Sequence, residues 1–355
     1  MSEPTIATHD VQRFLDLIDR GATRQAIEFA LGRLETGSVA TVVTDLLAPA
    51  QREVGERWHR GRYTVSQEHL ASGVVDDVLG MLALPALRAG SSDNLLALVC
   101  AEGEWHSTPA RMASILIRDA GWQVRFLGAS TPLQHLQTSL RQMAPQAVGI
   151  SCTLPLTLTA VPELTGLAHD LGLPVIVGGQ AFGPEARRGA RLGADGAFVD
   201  IPAAVRRLEF WLDRPPSMAS VEPDADRDLQ RSELAARRME IVDDAYAMLE
   251  RRLPGMAAFD ERRRRHTRED LDYIVRFADV ALFVDDPTIF TDFIAWLAQL
   301  LAGRGLPDEV MLVTLEAVRD VVGPELPGVL ALLDAASGQL AAPDGVPRPR
   351  GRSGH

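Results

Sequence analysis

Apolar residues recur every three or four positions through residues 10–87 of the chain. Val11, Phe14 and Ile18 belong to one such series, and similar series follow it. This period predicts amphipathic helices, and the short polar breaks between them predict a small helical bundle. Pro49 predicts a kink or a late helix start inside this region.

The pattern changes after Asn94, where short apolar runs alternate with amphipathic stretches. Continuous apolar runs are typical of strands that are buried on both faces of a parallel sheet. The predicted strands are residues 95–101, 123–130, 147–153, 174–182 and 194–200. We therefore predict an α/β fold with a doubly wound, five-stranded parallel sheet, in which ligands bind beyond the carboxyl ends of the strands.

A stretch rich in Pro, Ser and acidic residues follows the sheet and predicts a linker, after which helical periodicity resumes. The predicted domains are a helical-bundle cap at 1–88, a Rossmann-like domain at 89–213, the linker at 214–229, an all-helical domain at 230–340 and a disordered tail at 341–355.

The composition of the chain argues against several classes of function. The formal net charge is −12, which argues against non-specific binding of nucleic acid. Cys100 and Cys152 lie in apolar runs, so we interpret them as buried thiols of a reducing compartment. No signal peptide is evident, and no apolar window reaches about 18 residues. We expect a cytoplasmic protein without a membrane or nucleic-acid partner.

The stretch from Gly55 to Ser72 carries an unusual combination of side chains. Trp58 and His59 are adjacent, and Thr64 and Gln67 have the spacing of a capping box that starts a helix. The next helix would place four side chains on one face, namely Val65, Glu68, His69 and Ser72. A solvent-facing Glu–His pair is the alternative interpretation of this face.

Candidate ligand-binding groups also follow three of the predicted strands. Glu104 and His106 come after the first strand, where the carboxylate could hold one ring nitrogen of a metal-binding histidine. The third strand ends in the 151–153 segment Ser-Cys-Thr, and the fourth is followed by Gly178 and Gly179. Ordinary loops and tight turns are the alternatives at each of these places. Neither GxGxxG after the first strand nor GxxxxGK[ST] is present, so dinucleotide and phosphate-loop sites are not supported.

Together, the Glu-x-His, Ser-x-Thr and Gly-Gly segments resemble a cobalamin-binding domain of the base-off, His-on kind. The resemblance implies that His106 is the lower axial ligand of cobalt. It also implies that the displaced nucleotide tail of the cofactor runs along a cleft lined by four residues, namely Ser151, Thr153, Gly178 and Gly179. Pro109 stands where the family usually has glycine.

The spacing of Trp58, Glu68 and His69 resembles the helical cap of the light-sensing, adenosylcobalamin-binding CarH/LitR class. This resemblance covers residues 10–212 and implies that Trp58, Val65, Glu68 and His69 line a pocket for the adenosyl group. His59 matches the position that captures the upper face of cobalt after light has broken the cobalt–carbon bond, which gives a bis-His adduct. CarH-type repressors carry an N-terminal DNA-binding domain. This chain starts at the cap, and we expect no repressor function.

The run DERRRRHTREDLDYIVRF predicts a helix with two different faces. One face is apolar, and the other carries Arg262, His266, Asp270, Tyr273 and Phe277. Arginines and aromatic rings suit a flat, conjugated dicarboxylate, although a solvated charged helix is the alternative. With the preceding domains, this run resembles the photocobilins, photoreceptors that pair cobalamin with biliverdin. No cysteine lies beyond Cys152, so the bilin would bind non-covalently.

The leading hypothesis is therefore a non-enzymatic light sensor that binds adenosylcobalamin and biliverdin. Light would change its self-association, as a homodimer or a higher oligomer, and an unidentified downstream signalling protein could receive the output. Two other functions stay open. The chain could be the corrinoid carrier of a methyltransferase system or the cobalamin subunit of a mutase, or a cobalamin sensor whose last domain is a pigment-free dimerisation or output module.

Overall fold

The computed structural model describes residues 4–89, 93–218, 224–307 and 309–342 of the chain. It divides into two compact units, residues 1–221 and residues 222–355. The first unit contains a helical bundle and a parallel sheet, and the described residues of the second unit are mostly helical. The predicted α/β class, with helical N-terminal and C-terminal regions around a Rossmann-like sheet, is confirmed.

The first unit begins with five helices, α1 (Pro4–Asp19), α2 (Thr23–Gly32), α3 (Val39–Thr41), α4 (Ala48–His59) and α5 (Val65–Ala89). Their apolar faces meet in one core, which includes Phe14, Leu15, Leu47, Leu79 and Leu82 as fully buried side chains. The helical period of the sequence thus produces the predicted bundle.

A π-helix over residues 42–47 joins α3 to α4, so that residues 39–59 wind as one continuous helix. Pro49 is the second residue of α4, directly after the π-helix. At this proline the chain changes its helical winding without leaving the helix.

A capping box starts α5. The backbone N–H of Thr64 donates to Gln67 Oε1 (2.8 Å), and the backbone N–H of Gln67 donates to Thr64 Oγ1 (3.3 Å). This reciprocal pair confirms the prediction from the Thr-x-x-Gln spacing.

The sheet has the strand order β2-β1-β3-β4-β5, and all neighbouring strands are parallel. The strands are β1 (Leu95–Cys100), β2 (Gln123–Phe126), β3 (Ala147–Ser151), β4 (Val175–Gly178) and β5 (Gly196–Phe198). Cys100, Ser151 and Gly178 are register partners across β1, β3 and β4. The carboxyl ends of these central strands therefore form one edge, from which the candidate loops leave.

The strands are connected by helices that cover the sheet. These helices are α6 (Thr108–Asp119), α7 (Leu133–Met143), α8 (Val161–Asp170), α9 (Arg188–Arg191) and α10 (Ile201–Asp213). Helices α6 and α10 are in contact with each other, and so are α7 and α8. Alternate residues of β1 share an apolar core with Trp122 and with Trp211 of α10.

The bundle is fastened to the sheet through α6. Met112 and Ile115 of α6 are buried in the core of the bundle. Arg111 forms an ion pair with Asp76 of α5 (2.8 Å), and Thr108 donates a hydrogen bond to the same carboxylate (3.1 Å). These contacts hold α5 beside the loop that follows β1.

The second unit consists of α11 (Ala225–Arg252), α12 (Glu261–Val284), α13 (Thr288–Ala302), α14 (Glu309–Val322) and α15 (Pro327–Ala341). Helix α11 starts before the predicted end of the linker at residue 229, because the side chain of Asp224 accepts a hydrogen bond from the backbone N–H of Arg227 and caps the helix. The predicted disordered tail lies outside the described residues from residue 343 onward.

Within the described ranges, every helix is too short or too polar to cross a membrane.

Candidate functional site

The loop after β1 holds a histidine that is supported by a buried carboxylate. Glu104 is fully buried, and its Oε1 accepts a hydrogen bond from the backbone N–H of His106 (2.8 Å). The same oxygen lies 2.7 Å from His106 Nδ1, and a carboxylate there favours the tautomer in which Nδ1 carries the proton. About half of the His106 side chain (53%) is exposed. Nε2 is therefore the ring nitrogen that this arrangement prepares to bind a metal.

The second oxygen of Glu104 ties this loop to the end of β3. Oε2 accepts hydrogen bonds from the backbone N–H groups of Thr153 (2.6 Å) and Leu154 (2.9 Å). Burial by itself raises the pKa of Glu104, but the hydrogen bonds from His106, Leu154 and Thr153 outweigh burial and hold that pKa below its usual value. Glu104 is consequently an anion that orients one histidine and joins two loops.

The charges around His106 favour its protonated form when no metal is bound. The hydrogen bond to Glu104 raises the pKa of His106, burial opposes that shift, and the charges of Glu104 and Glu68 raise the pKa further. Glu68 lies on α5, the helix to which Arg111 and Thr108 bind through Asp76. The two groups of candidate residues in the first unit therefore lie on elements that pack against each other.

The carboxyl ends of β3 and β4 supply the cleft residues of the predicted site. Ser151 is buried at the end of β3. Thr153 Oγ1 is also buried, and no hydrogen-bond partner for it occurs in the described part of the chain. A buried hydroxyl without a partner costs roughly 1–3 kcal/mol. Thr153 therefore fits a ligand that brings polar groups to this cleft.

Gly178 and Gly179, at the end of β4, are glycine for different structural reasons. Gly179 has φ +116°, and a Cβ there would lie 2.1 Å from the carbonyl oxygen of Cys152, so the fold itself requires glycine. A Cβ on Gly178 would meet only the carbonyl oxygen of Phe198, at 3.4 Å. Gly178 is thus the position where a missing side chain leaves room for a ligand.

Pro109, which stands in place of the family glycine, lies in the first turn of α6. The helix begins at Thr108, two residues after His106, and a proline in the first turn removes no intrahelical hydrogen bond. Because α6 starts this early, proline fits at position 109, where the family usually has glycine.

Trp58 and His59 form the end of α4, and both are partly buried. Val65, Glu68 and His69 follow in the first turns of α5. Glu68 is 24% exposed and contacts His69 Nδ1 through Oε2 at 2.5 Å, while His69 is 73% exposed. The exposure of His69 agrees with the alternative of a solvent-facing pair, whereas Glu68 is partly buried and accepts a hydrogen bond from Ser72 through Oε1.

The turn that joins α4 to α5 is anchored by a polar network that the sequence pattern did not indicate. Arg57 Nη1 donates to the Tyr63 hydroxyl (2.9 Å) and forms an ion pair with Asp19 of α1 (3.0 Å). The Tyr63 hydroxyl in turn donates to Asp19. These bonds fix the position of the Trp58–His59 dipeptide relative to α1.

Exposed apolar side chains surround the β1 loop. Trp105, between Glu104 and His106, is 74% exposed, and Leu154 and Val65 are also exposed. Large exposed apolar groups beside a prepared polar group are typical of a binding surface. Sequence reasoning assigned no role to Trp105 or Leu154, although the position of Trp105 next to His106 was a usable signal.

The predicted bilin residues are distributed along α12. Arg262 is exposed, His266 and Asp270 are partly buried, and Tyr273 is exposed. Phe277 is instead buried and stacks on Phe293 of α13, with ring centroids 3.8 Å apart and an interplanar angle of 3°. The five residues therefore form a strip that runs from solvent into the core.

Helix α13 extends this strip with aromatic residues that the sequence analysis missed. Phe293 also stacks near Trp296, with centroids 6.1 Å apart, and Trp296 is partly exposed. Beside the aromatic row, burial raises the pKa of Asp270 to about 6, although the positive charges of Arg304 and His266 oppose that shift. This surface carries exposed aromatic rings and a carboxyl group whose pKa is about 6.

Comparison with known proteins defines the class of the first unit. Residues 95–207 match a family profile described as B12 binding domain, and residues 11–83 match a second profile of the same description. The helical bundle and the sheet are thus each similar to a B12 binding domain, and part of the chain is similar to CarH.

Two named proteins are similar to part of the chain. The chain is 35% identical over 140 residues to the HTH-type transcriptional repressor CarH of Myxococcus xanthus, a match that covers 39% of this chain and 46% of CarH. It is 25% identical over 159 residues to a dimethylamine corrinoid protein of Methanosarcina barkeri, covering 43% of this chain and 73% of that protein. The chain spans about half the length of the repressors CarH and CarA that it matches (46% and 57%).

The fold of part of the chain is also similar to that of a solved structure, the monomethylamine corrinoid protein of Methanosarcina barkeri. The TM-score is 0.50 at 15% sequence identity, and the match covers 57% of this chain and 99% of that protein. At this identity the likeness concerns the fold alone.

Proposed function

We propose that this chain is a light-sensing photoreceptor whose first unit binds adenosylcobalamin and whose second unit binds biliverdin. The observation that carries the proposal is the half-exposed imidazole of His106, which the buried Glu104 holds through Nδ1. The two matching B12 binding domain profiles support cobalamin as the ligand. Similarity to CarH supports the adenosyl form.

At the β1 loop, His106 would hold the cobalt through Nε2, while Glu104 keeps the imidazole proton on Nδ1. The Thr153 hydroxyl, which has no hydrogen-bond partner among the described residues, lines the cleft for the nucleotide tail together with Ser151. Gly178 leaves room in this cleft, and Gly179 allows the backbone of the β4 loop to approach Cys152.

On the upper side, bound adenosylcobalamin supplies a cobalt–carbon bond that visible light breaks. Trp58 and Val65 provide apolar walls, while Glu68 accepts a hydrogen bond from the nucleoside and His69 holds the second oxygen of Glu68. His59 would be the residue that holds the cobalt after illumination. The Arg57–Tyr63 anchor keeps the Trp58–His59 dipeptide in place.

In the second unit, biliverdin binds along the aromatic row of α12 and α13. Tyr273 and Trp296 offer exposed stacking surfaces beside the buried Phe277–Phe293 pair, and Arg262 is a donor for a propionate. Asp270 and His266 offer polar partners for the pyrrole nitrogens. Binding is non-covalent, since the sequence has no cysteine after Cys152. The output is a light-dependent change in self-association, which a downstream signalling protein could read.

The test is an absorption spectrum of purified protein with adenosylcobalamin, recorded in the dark and after green light. We expect conversion to a histidine-ligated spectrum that differs from photolysed free cofactor, together with a changed elution volume in size-exclusion chromatography. His106→Ala is the control that should give the free-cofactor spectrum. If the wild-type spectrum after light equals that of the free cofactor, the sensor proposal fails.

Biliverdin binding has its own test. Co-expression with a source of biliverdin should give a red-absorbing band that remains after gel filtration. A colourless second unit would favour the alternative of a cobalamin sensor with a pigment-free dimerisation or output module.

The similarity to corrinoid proteins of Methanosarcina favours a second function, that of a corrinoid carrier for methyl transfer. A carrier should bind methylcobalamin at least as tightly as adenosylcobalamin and keep its oligomeric state after illumination. The photoreceptor proposal predicts the opposite result in both measurements.

A further inference from the structure

Two residues of α4 lie on the same helical face as Trp58. Gln51 precedes Trp58 by seven positions and Gly55 precedes it by three, so the three share one side of the helix. Gln51 also contacts α5, because Gln51 Nε2 donates to Ser72 Oγ at 2.8 Å. This face therefore continues the polar surface formed by Glu68 and Ser72.

The orientation of the Gln51 amide follows from its neighbours. Ser72 Oγ donates its proton to Glu68 Oε1 at 2.7 Å, so the serine oxygen must accept from Gln51. The amide nitrogen of Gln51 consequently faces Ser72, which leaves Oε1 as the remaining acceptor. Gln51 Oε1 is buried, and none of the described residues donates a hydrogen bond to it. A buried acceptor of this kind is unfavourable unless a donor arrives.

Gly55 lies between Gln51 and Trp58 on this face. It is inside α4, where glycine is less favourable than alanine. A Cβ on Gly55 would have no atom of the described residues within 4 Å, so packing does not explain the glycine. The space beside the α4 backbone is open at the position next to the tryptophan.

We infer that Gln51 and Gly55 complete the pocket for the upper axial group and make it selective for a nucleoside. Gly55 leaves the room that an adenosyl group needs, and Gln51 Oε1 accepts a hydrogen bond from a ribose hydroxyl or from the adenine 6-amino group. A methyl group has no such donor and does not need the room. This inference rests on the proposed function and specifies how the site distinguishes adenosylcobalamin from methylcobalamin.

The experiment measures dissociation constants in the dark for adenosylcobalamin, methylcobalamin and hydroxocobalamin. Gln51→Met keeps a similar size without the acceptor and should weaken adenosylcobalamin binding about tenfold, with little change for the other two. Gly55→Ala should weaken adenosylcobalamin binding at least about tenfold, yet raise the melting temperature of the unliganded protein by about 2–4 °C. Gly166→Ala is the matched control, because Gly166 is also inside a helix, α8, with open space beside it.

The outcomes separate the inference from the proposed function. If wild type binds none of the three cobalamins, the proposed function fails. If wild type binds adenosylcobalamin but both variants keep its selectivity, or if all three cobalamins weaken equally, the inference fails alone. An adenosylcobalamin analogue without the 6-amino group identifies the donor. Gln51→Met should leave binding of this analogue unchanged if the amine is the donor, and should weaken it if the donor is ribose.

Discussion

Glutamine at position 104 should reverse the tautomer of His106 while keeping the size of the side chain. Glu104 accepts four hydrogen bonds of 2.6–2.9 Å, two from His106 and one each from the backbone of Thr153 and Leu154. Glutamine has one acceptor oxygen and one donor nitrogen. If its oxygen keeps Thr153 and Leu154, its NH₂ group faces His106, where Nδ1 must then accept. The imidazole proton moves to Nε2, which is the atom that should bind cobalt.

Glu104→Gln should also lower the stability of the fold and the affinity for the cofactor, because it loses some of these bonds. Hydrogen bonds to a charged group contribute roughly 1.5–3 kcal/mol each, and a buried donor without an acceptor costs about 1–3 kcal/mol. The His106 backbone N–H would lose its acceptor, so we expect the free energy of unfolding to fall by about 2–4 kcal/mol. Loss of the partner of a metal-binding histidine typically weakens metal affinity about 10–100-fold. We expect this increase in the dissociation constant of hydroxocobalamin.

Two measurements check this reasoning. Electron paramagnetic resonance of the reduced, cobalt(II) form should show nitrogen splitting from His106 in wild type and lose it in Glu104→Gln, and urea unfolding should give the stability difference. Glu102→Gln is the control, because Glu102 is an exposed carboxylate of the same loop. An unchanged dissociation constant together with an unchanged nitrogen splitting in Glu104→Gln would refute the tautomer argument.

Two further substitutions test other parts of the chain. His59→Ala should bind adenosylcobalamin in the dark within about twofold of wild type, because His59 acts only after photolysis, but should lose the final illuminated spectrum; failure to bind in the dark would contradict that role. Burial raises the pKa of Asp270 to about 6. The protonated carboxyl therefore favours the folded state, and this stabilisation is lost as the pH rises from about 4 to about 6. Asp270→Asn should therefore be more stable than wild type by about 1–2 kcal/mol at pH 7.5 in urea unfolding and equally stable near pH 4, a difference that Glu269→Gln should not show.

Features that depend on neighbours in the sequence were predictable. The capping box of Thr64 and Gln67 requires only residues three apart, and the parallel sheet follows from the lengths of the apolar runs and their alternation with helices. The candidate residues at the ends of β1, β3 and β4 were found because parallel strands bring their carboxyl ends to one edge.

Features that depend on contacts between distant residues were not predictable. Glu104 joins the β3 loop across 49 positions, and Tyr63 reaches Asp19 across 44. The stacking of Phe277 on Phe293 depends on how α12 packs against α13, which helical periodicity does not specify. The π-helix at 42–47 similarly has no local pattern that distinguishes it from an α-helix. The early start of α11 was the exception, since Asp224 is a recognisable capping residue.

The carboxyl of Asp270 links proton binding to bilin binding, if the second unit binds biliverdin as proposed. Pyrrole N–H groups need a carboxylate acceptor, whereas free Asp270 is protonated below about pH 6. Binding must then release a proton below that pH, so the dissociation constant should fall by up to about tenfold per pH unit between pH 5 and 6 and become constant above pH 7. The Asp270→Asn variant should lose this pH dependence, because it has no carboxyl at this position. A wild-type affinity for biliverdin that is constant from pH 5 to 7 in an absorbance titration would show that Asp270 does not face the pyrroles.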